Sequence, residues 1–499
     1  MKSFYEAYLS GDEGAEKYLG PPPTIDAVVA HARQIEQTEI HAEAIEILRQ
    51  RIPPLIANED SAIQESIAKL SQRPVFICAG QQPGLFGGTL LSLYKAITAI
   101  ALSRALNDQG VLALPLFWNA SEDHDFSEAN RLCIPRHKEA QEPSVYKLSS
   151  ERPNQSLSKI KVNDDDLDSL RRMIKENDLD PSFLPNRAED FGTWNTRLVY
   201  ALTKGSGLLV CEPHWFAKTL VPLREDFFDN REQLQGLVAH QSALMAEDHF
   251  PVPVKVMGDE AFHFFDSDNQ RLKIRASGKE SFEIDGLMWS AAGLVEALKQ
   301  EPNRFTSSVL SRPIAQQYLF PVAAQVAGPT ELTYLAQIRE VYKPLSQQPP
   351  ILWPRSHFLL LSQQDRDLTL KLPISGDDLL HGNYPIPAEP GDTIIENIES
   401  LIRKAFGEVE QIRDPDLRKK AIDLRRTSMR EIKNLRKESK RLEKQRTKPL
   451  MRIVHQLKQT VQPRGIPQER IMGPMSLGFQ ADPELFDILK TAIDISSPG

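Results

Sequence analysis

The sequence predicts an α/β protein, a parallel-sheet core followed by a basic helical segment, and three observations carry this. Two apolar runs rich in strand formers, residues 75–79 and 111–118, flank an 18-residue helical pattern at 89–106. Such a strand, loop, helix, strand unit builds parallel sheets. A third run, 320–328, ends at Gly328-Pro329 and opens a helix near Thr330, and from Thr393 onwards the chain turns helical and charged.

The elements follow in order. Residues 1–70 read as helices broken by the turn Gly20-Pro21-Pro22-Pro23-Thr24, with Ile35, Ile40, Ala44, Ile47 and Leu48 at helical spacing. Within 89–106, Leu90, Leu93, Tyr94, Ile97, Ile100 and Ala101 make one apolar stripe. Further strand-like runs stand at 207–211, 252–257, 261–265, 271–274 and 350–353, and 252–277 reads as a meander, an inserted or peripheral element. One helix ends near Arg413-Asp414-Pro415, and a second runs over 416–461 with a kink expected at Pro449. Met429, Ile432, Leu435, Leu442, Leu450, Ile453 and Leu457 follow three and four spacing imperfectly, which suggests an antiparallel helical hairpin or coiled coil. Helices of that kind commonly support self-association.

Composition narrows the function classes. At 499 residues the chain exceeds one ordinary core, so two to four structural units are expected. No apolar run approaches the roughly 20 residues of a membrane span; the longest, 90–102, is broken by Ser92 and Lys95. The first 20 residues lack the apolar core of a secretory signal and carry three Glu and one Asp, so a cytoplasmic location is expected. Cys78, Cys133 and Cys211 form no C-x-x-C pair, which points away from a disulfide framework or zinc ribbon. Cys78 and Cys211, in apolar runs, read as small core residues.

The net charge of −8 conceals an asymmetry: residues 425–448 hold eleven Lys or Arg against three Glu. The plain reading is the solvated face of a long helix; the sharper one is an anion, nucleotide or nucleic-acid site. No aromatic residue interleaves with these charges. The stacking platform of a single-strand binder is therefore missing, and no nucleic-acid partner is expected.

The loops 80–88 and 119–130 leave the carboxyl ends of their strands, where open α/β sheets bind ligands. GQQPGLFGGT, with Gly80 and Gly84, has neither the P-loop ending nor the G-x-G-x-x-G order. Its place between strand and helix nevertheless suits backbone N–H groups for holding an anion, and Gln81 and Gln82 offer neutral donors and acceptors. LPLFWNASEDHDFSEAN at 114–130 carries Asn119 and then Glu122-Asp123-His124-Asp125. That cluster permits a divalent metal site, acid/base machinery, or a site for a cationic group such as an amine. Adjacent residues cannot all face one crevice, and the competing reading is that Asp123 or Ser121 caps a following helix. The His-Asp pair also suits a metal-dependent phosphohydrolase, but no matching helix-borne ligands stand upstream, and no metal is assigned. Arg312, Gln316, Gln317 and Glu331 are polar residues spaced among apolar ones, and Arg355 follows a strand end. A buried Arg requires a carboxylate or an anionic ligand, so each is a substrate-site candidate or a structural ion-pair partner.

Taken together, GQQPGLFGG at 80–88, Tyr94-Lys95, FWNASEDHDFSEAN at 117–130, RPIAQQYLFPVAAQVAGPTELTYLAQI at 312–338 and GIPQER at 465–470 resemble the BshC family, the cysteine ligases of bacillithiol biosynthesis. The resemblance runs from about residue 70 to the C-terminus, with the motifs in the same order. It implies a Rossmann-like core similar to class I synthetases over 71–392, with segments inserted at roughly 140–200 and 235–310. It further implies a coiled coil over 393–462, a segment at 463–499 returning to the core, and a homodimer. The implied reaction joins cysteine to the amine of glucosaminyl malate through an amide bond.

On this basis the expected crevice lies between the loop 80–88, the loop 119–125 and the turn 328–331. His124 is the expected base or orienter of the amine, with Asp123 or Asp125 holding its ring. Arg312 and Arg355 are expected on carboxylates and Gln81 and Gln82 on sugar hydroxyls, with Gly80, Gly84, Asn119, Glu122, Gln316, Gly328 and Glu331 completing the substrate site. ATP or another nucleotide is expected from the bond made, since no familiar ATP motif is present, with Arg436, Lys437, Lys440 and Arg441 as its candidate contacts. The runner-up is a non-catalytic nucleotide-binding or interaction protein with a degenerate synthetase-like core.

Overall fold

Strands that are apolar at every position are covered on both faces, and the two runs that open the core behave this way. In the computed structural model the described residues are 3–36, 41–56, 60–134, 144–148, 154–177, 179–187, 189–255, 258–267, 270–278, 280–372, 374–384 and 391–477. In chain order the strands are β1 (Val75–Gln81), β2 (Ala113–Asn119), β3 (Arg131–Ile134), β4 (Ser144–Lys147), β5 (Leu209–Cys211) and β6 (Glu260–Asp266). They continue with β7 (Arg271–Ala276), β8 (Ser281–Ile284), β9 (Leu287–Ser290), β10 (Phe305–Ser307), β11 (Val322–Ala327) and β12 (Ile351–Pro354). Every residue of β2 is buried, as are the first five of β1.

The central sheet is parallel, in the order β12-β11-β1-β2-β5. The chain thus moves outward from β1 through β2 to β5, then crosses back to lay down β11 and β12 on the other side. β1 and β11 form the switch point at which such sheets open a crevice. Between β1 and β2 runs the helix Leu90–Asp108, which packs on both strands and on the helix Ile25–Ile35. Ser92, Lys95, Thr98 and Ser103 are buried along with its apolar stripe. The helix is covered nearly all round, so the lysine in it requires an internal partner.

Five helices, Phe4–Leu9, Glu13–Leu19, Ile25–Ile35, Ala42–Arg51 and Ser61–Lys69, precede β1 among the described residues. Ser3 and Glu6 close a capping box on the first, and Tyr8 in it donates to the carbonyl of Leu352 in β12 at 2.9 Å. Ile40 lies outside the described residues.

Two excursions leave the sheet. Between β2 and β5 come the β3–β4 hairpin and the helices Asp164–Asn177 and Phe191–Leu202, joined by a core that includes Leu132, Leu170, Phe191, Trp194 and Met475. Between β5 and β11 stands an antiparallel sheet in the order β10-β6-β7-β8-β9, packed around Phe228, Phe265, Ile274, Phe282 and Phe305. The meander is therefore real, and larger than 252–277. Residues 252–255 are not a strand; 256 and 257 lie outside the described residues. The backbone of Val254 is satisfied by one side chain instead of a neighbouring strand: its N–H donates to Gln337 Oε1 at 3.2 Å, and Gln337 Nε2 donates to its carbonyl at 2.8 Å.

Contacts divide the chain into two units. The larger holds the described residues of Met1–Pro135, Ser144–Phe358 and Glu469–Gly499, and with them the whole parallel sheet. Its last described stretch returns to the core: Leu90 N donates to Met472 O at 2.8 Å, and Met472 bridges Cys133. The described residues of the smaller unit are those of Leu359–Gln468. It contains the helices Gly391–Ala405 and Pro415–Val461, the second running through Pro449 without interruption. The two helices pack together, with Arg436 Nη2 2.8 Å from Glu399 Oε2.

Candidate active site

Where the strand order reverses, the loops leaving β1, β2, β11 and β12 surround a cleft of about 620 Å³, and the antiparallel sheet supplies its far wall. All of it belongs to the larger unit.

Lys95 anchors the floor. Its ammonium group, 1% exposed, donates to Gly80 O at 2.9 Å and Gln81 Oε1 at 2.8 Å, and lies 2.5 Å from Glu331 Oε2. Glu331 in turn accepts from Gly328 N at 2.8 Å and from Tyr334 Oη at 3.2 Å. Burial pushes the lysine's pKa down. Burial pushes Glu331 up, but Lys95 and the Gly328 N–H outweigh it and hold the carboxylate below its ordinary value. One ion pair thus ties the helix after β1 to the helix after β11.

Only the first part of the glycine-rich loop reaches the cleft. Gly80, Gln81 and Gln82 line it; Gly84 does not, because the chain turns away to bury Leu85 and Phe86. The loop closes tightly there. A Cβ on Gly84 would lie 2.6 Å from Gly88 Cα, and Gly88 itself has φ +84. The first N–H of the following helix donates to Met472 O, so that one donor is taken by the chain's own carbonyl.

The Glu122-Asp123-His124-Asp125 cluster fans out instead of converging. Asp125 is the helix cap: its Oδ1 accepts from Ser127 Oγ at 2.6 Å and Glu128 N at 3.0 Å, and it does not line the cleft. Glu122, 6% exposed, accepts from Ser307 N at 3.0 Å and lies 3.8 Å from Arg224 Nη2; burial pushes its pKa up. Asp123 folds Oδ1 onto the N–H groups of His124 at 2.7 Å and Asp125 at 3.2 Å, leaving Oδ2 without a bond among the described residues. No group of three His, Cys, Asp or Glu side chains converges as a metal site would need, among the described residues.

His124 is held from across the cleft. Its Nδ1 lies 2.9 Å from Arg271 Nη1, whereas Asp123 Oδ1 is 3.9 Å away. The ring is therefore oriented by an arginine of β7, not by Asp123 or Asp125. A guanidinium only donates, so Nδ1 accepts and the proton sits on Nε2. Burial and then Arg271 push the imidazole's pKa down, against the charges of Asp123, Asp125 and Asp266.

Of the two arginines expected on carboxylates, Arg355 has both Nη atoms on Glu469, at 2.7 and 2.5 Å, with His357 Nδ1 beside them. Its Nε, facing Gly328, has no hydrogen-bond partner among the described residues. Arg312 lines the cleft with no carboxylate within ion-pair distance among the described residues, its one side-chain hydrogen bond there going to Tyr334 Oη at 3.3 Å. It is the guanidinium best placed for a ligand anion.

Asn119 and Gln316 sit behind the lining. Asn119 Nδ2 binds Gly192 O and Thr196 Oγ1, fastening β2 to the helix Phe191–Leu202, and Gln316 is buried beneath Gly80. Arg436, Lys437, Lys440 and Arg441 belong to the smaller unit; Arg436 pairs with Glu399 and Arg441 with Glu438. Sequence reasoning missed Lys95, Arg271, Tyr334 and Glu469 as site residues. The signal for Lys95 was a lone cation in an apolar stripe. Arg271 had none, because its partners are 147 and 35 residues away.

Residues 1–356 match the family described as "Bacillithiol biosynthesis BshC, N-terminal Rossmann-like domain", and residues 391–498 match its "C-terminal coiled-coil domain". The match reaches through the first 70 residues, where no motif is legible. Similar proteins named "Putative cysteine ligase BshC" occur in Natranaerobius thermophilus, 26% identical over 61% of this chain and 58% of that protein, and in Bacillus cereus (strain Q1), 21% identical over 86% and 80%. A third, from Staphylococcus haemolyticus, is 25% identical over 70% of this chain and 68% of its own length. With a Rossmann-like parallel sheet in the first matched region and a long helix packed on a shorter one in the second, the chain belongs to the BshC family.

Proposed function

We propose that the chain is a ligase joining the carboxyl of cysteine to the amine of glucosaminyl malate, and that the cleft at the β1–β11 switch point is where the amide forms. The observation that carries the reading is Arg312, a cleft guanidinium with no carboxylate within ion-pair distance among the described residues, lining the same cleft as Asp123 and His124. In this reading Arg312 holds a malate carboxylate by charge-assisted hydrogen bonds, and Gln81 and Gln82 meet sugar hydroxyls. The attacking amine gives up its proton toward Asp123 Oδ2, while His124 Nε2–H donates to the oxygen that gains charge as the carbonyl carbon becomes tetrahedral. The C–N bond forms as one activated carboxyl oxygen leaves.

Activation of that carboxyl requires a nucleoside triphosphate or its equivalent as co-substrate. The four helix residues expected to contact it do not define a subsite alone: two are paired within their own unit, and Lys437 and Lys440 are exposed point charges. No step is assigned to them.

Self-association is part of the proposal. Leu417, Leu424, Leu435 and Leu442 on the long helix are 61, 59, 49 and 43% exposed, a seam that a second copy would cover.

The reading is tested by incubating purified protein with cysteine, glucosaminyl malate and ATP and following the mixture by mass spectrometry. The cysteinyl amide supports it. Stable nucleotide binding without that product supports the interaction-protein alternative.

A further inference from the structure

Arg271 is built into the wall opposite His124 with more contacts than a surface arginine requires. It is 8% exposed, and its guanidinium lies over the Phe264 ring at 4.0 Å. Nε donates to Thr306 Oγ1 at 2.8 Å, Nη2 donates to Ser307 O at 2.6 Å, and Nη1 reaches His124 Nδ1 at 2.9 Å. Two of its three arms are thus fixed to β10, and the third is aimed at the loop after β2. The same strand holds that loop from a second direction, because Ser307 N donates to Glu122 Oε2 at 3.0 Å. A planar fork anchored at two points has little freedom at its third, which distinguishes an arginine here from any lysine.

We propose that Arg271 is a positioning residue for His124: it fixes the rotation of the imidazole and keeps its proton on Nε2, so that the ring offers Nε2–H to the cleft. The antiparallel sheet thereby sets the tautomer of a residue in the loop after β2. The charged groups that act on His124 are Asp123 and Asp125 of its own loop, Asp266 of β6 and Arg271 of β7. Of these, Arg271 alone opposes protonation, and among the described residues its side chain alone hydrogen-bonds the ring. The consequence for turnover rests on the ligase reading; the tautomer lock does not.

The test is imidazole nitrogen NMR on the full-length protein labelled with ¹⁵N-histidine, His124 being identified by the resonances lost in His124→Gln. Wild type is expected to show an unprotonated Nδ1 and a protonated Nε2 at pH 7. In Arg271→Met the repelling cation is gone while three carboxylates remain, so the protonation midpoint of His124 rises by about one pH unit or more. Arg271→Lys keeps the charge, but one ammonium cannot reach Thr306, Ser307 and His124 together; both tautomers then populate, which preserves the test should Arg271→Met not fold. A wild-type ring protonated on Nδ1, or a His124 signal unchanged in every variant that folds, overturns the inference. Altered His124 resonances with unaltered kcat and KM leave the lock standing and remove His124 from the ligase mechanism.

Discussion

Lys95 Nζ lies 2.5 Å from Glu331 Oε2, joining the helix after β1 to the helix after β11 across the switch point of the sheet. Removing one partner leaves the other charge without its counter-ion in a desolvated place. Lys95→Met is expected to destabilise the protein by about 3 kcal/mol or more, and Lys95→Met with Glu331→Gln to recover part of that loss. Urea unfolding midpoints of the two variants check the order.

Arg355 and Glu469 make the second anchor. Burial opposes the Glu469 carboxylate, but His357 and Arg355 hold its pKa down to about 2. A folded pKa below the unfolded value of about 4.3 means that this stabilisation is complete above that pH and is lost as pH falls toward 2. Glu469→Gln is expected to lower stability at pH 7 by about 3 kcal/mol and to flatten the acid limb below pH 4, as read by denaturant titrations across pH.

Two further buried groups give opposite slopes. His263 is pushed down to about 3, chiefly by burial and then by Arg224. Its unfolded form binds the extra proton, so stability is full above about pH 6.5 and declines toward pH 3, by up to about 1.4 kcal/mol per pH unit. Glu212 is pushed up to about 8 by burial and by the Asp190 charge. Its contribution is greatest below about pH 4.3 and is lost as pH rises to 8. His263→Phe, which keeps the ring packing on Phe227 and Phe228, is expected to flatten the first slope, and Glu212→Gln to raise the melting temperature at pH 8 more than at pH 5.

Arg312 carries the anion in the proposed reaction. Arg312→Met is expected to lower kcat/KM for the malate-bearing substrate about 10- to 100-fold, the weight of one or two charge-assisted hydrogen bonds. Arg312→Lys should recover little, because a point charge does not replace a planar fork. Because no protein carboxylate pairs with Arg312 among the described residues, the melting temperature of either variant should stay near that of wild type.

Much of the parallel sheet was legible because its strands are apolar over most of their length and its loops carry turn residues. β1, β2, β5, β11 and β12 all fall on runs visible in the sequence. The short strands β8, β9 and β10 were not, since SFEI, LMWS and FTS mix polar and apolar residues over too few positions to show either an apolar run or a period. The site was half legible for a related reason. Asp123, His124 and Arg312 stand out as polar residues at the ends of apolar runs, whereas which way each points is decided by tertiary partners. Asp125 was lost to a helix cap, and the ring of His124 went to Arg271, on an insertion that the local pattern marks only as a meander.

In the proposed reaction the amide forms in this cleft with Asp123 as proton acceptor. The most direct test is the rate of cysteinyl-amide formation by Asp123→Asn, followed by mass spectrometry at saturating cysteine, glucosaminyl malate and ATP. Asn keeps the turn that Oδ1 makes with His124 N and Asp125 N but cannot accept the proton. A folded Asp123→Asn protein is expected to lose about 100-fold or more in rate; turnover of the folded variant at the wild-type rate would rule Asp123 out as the proton acceptor.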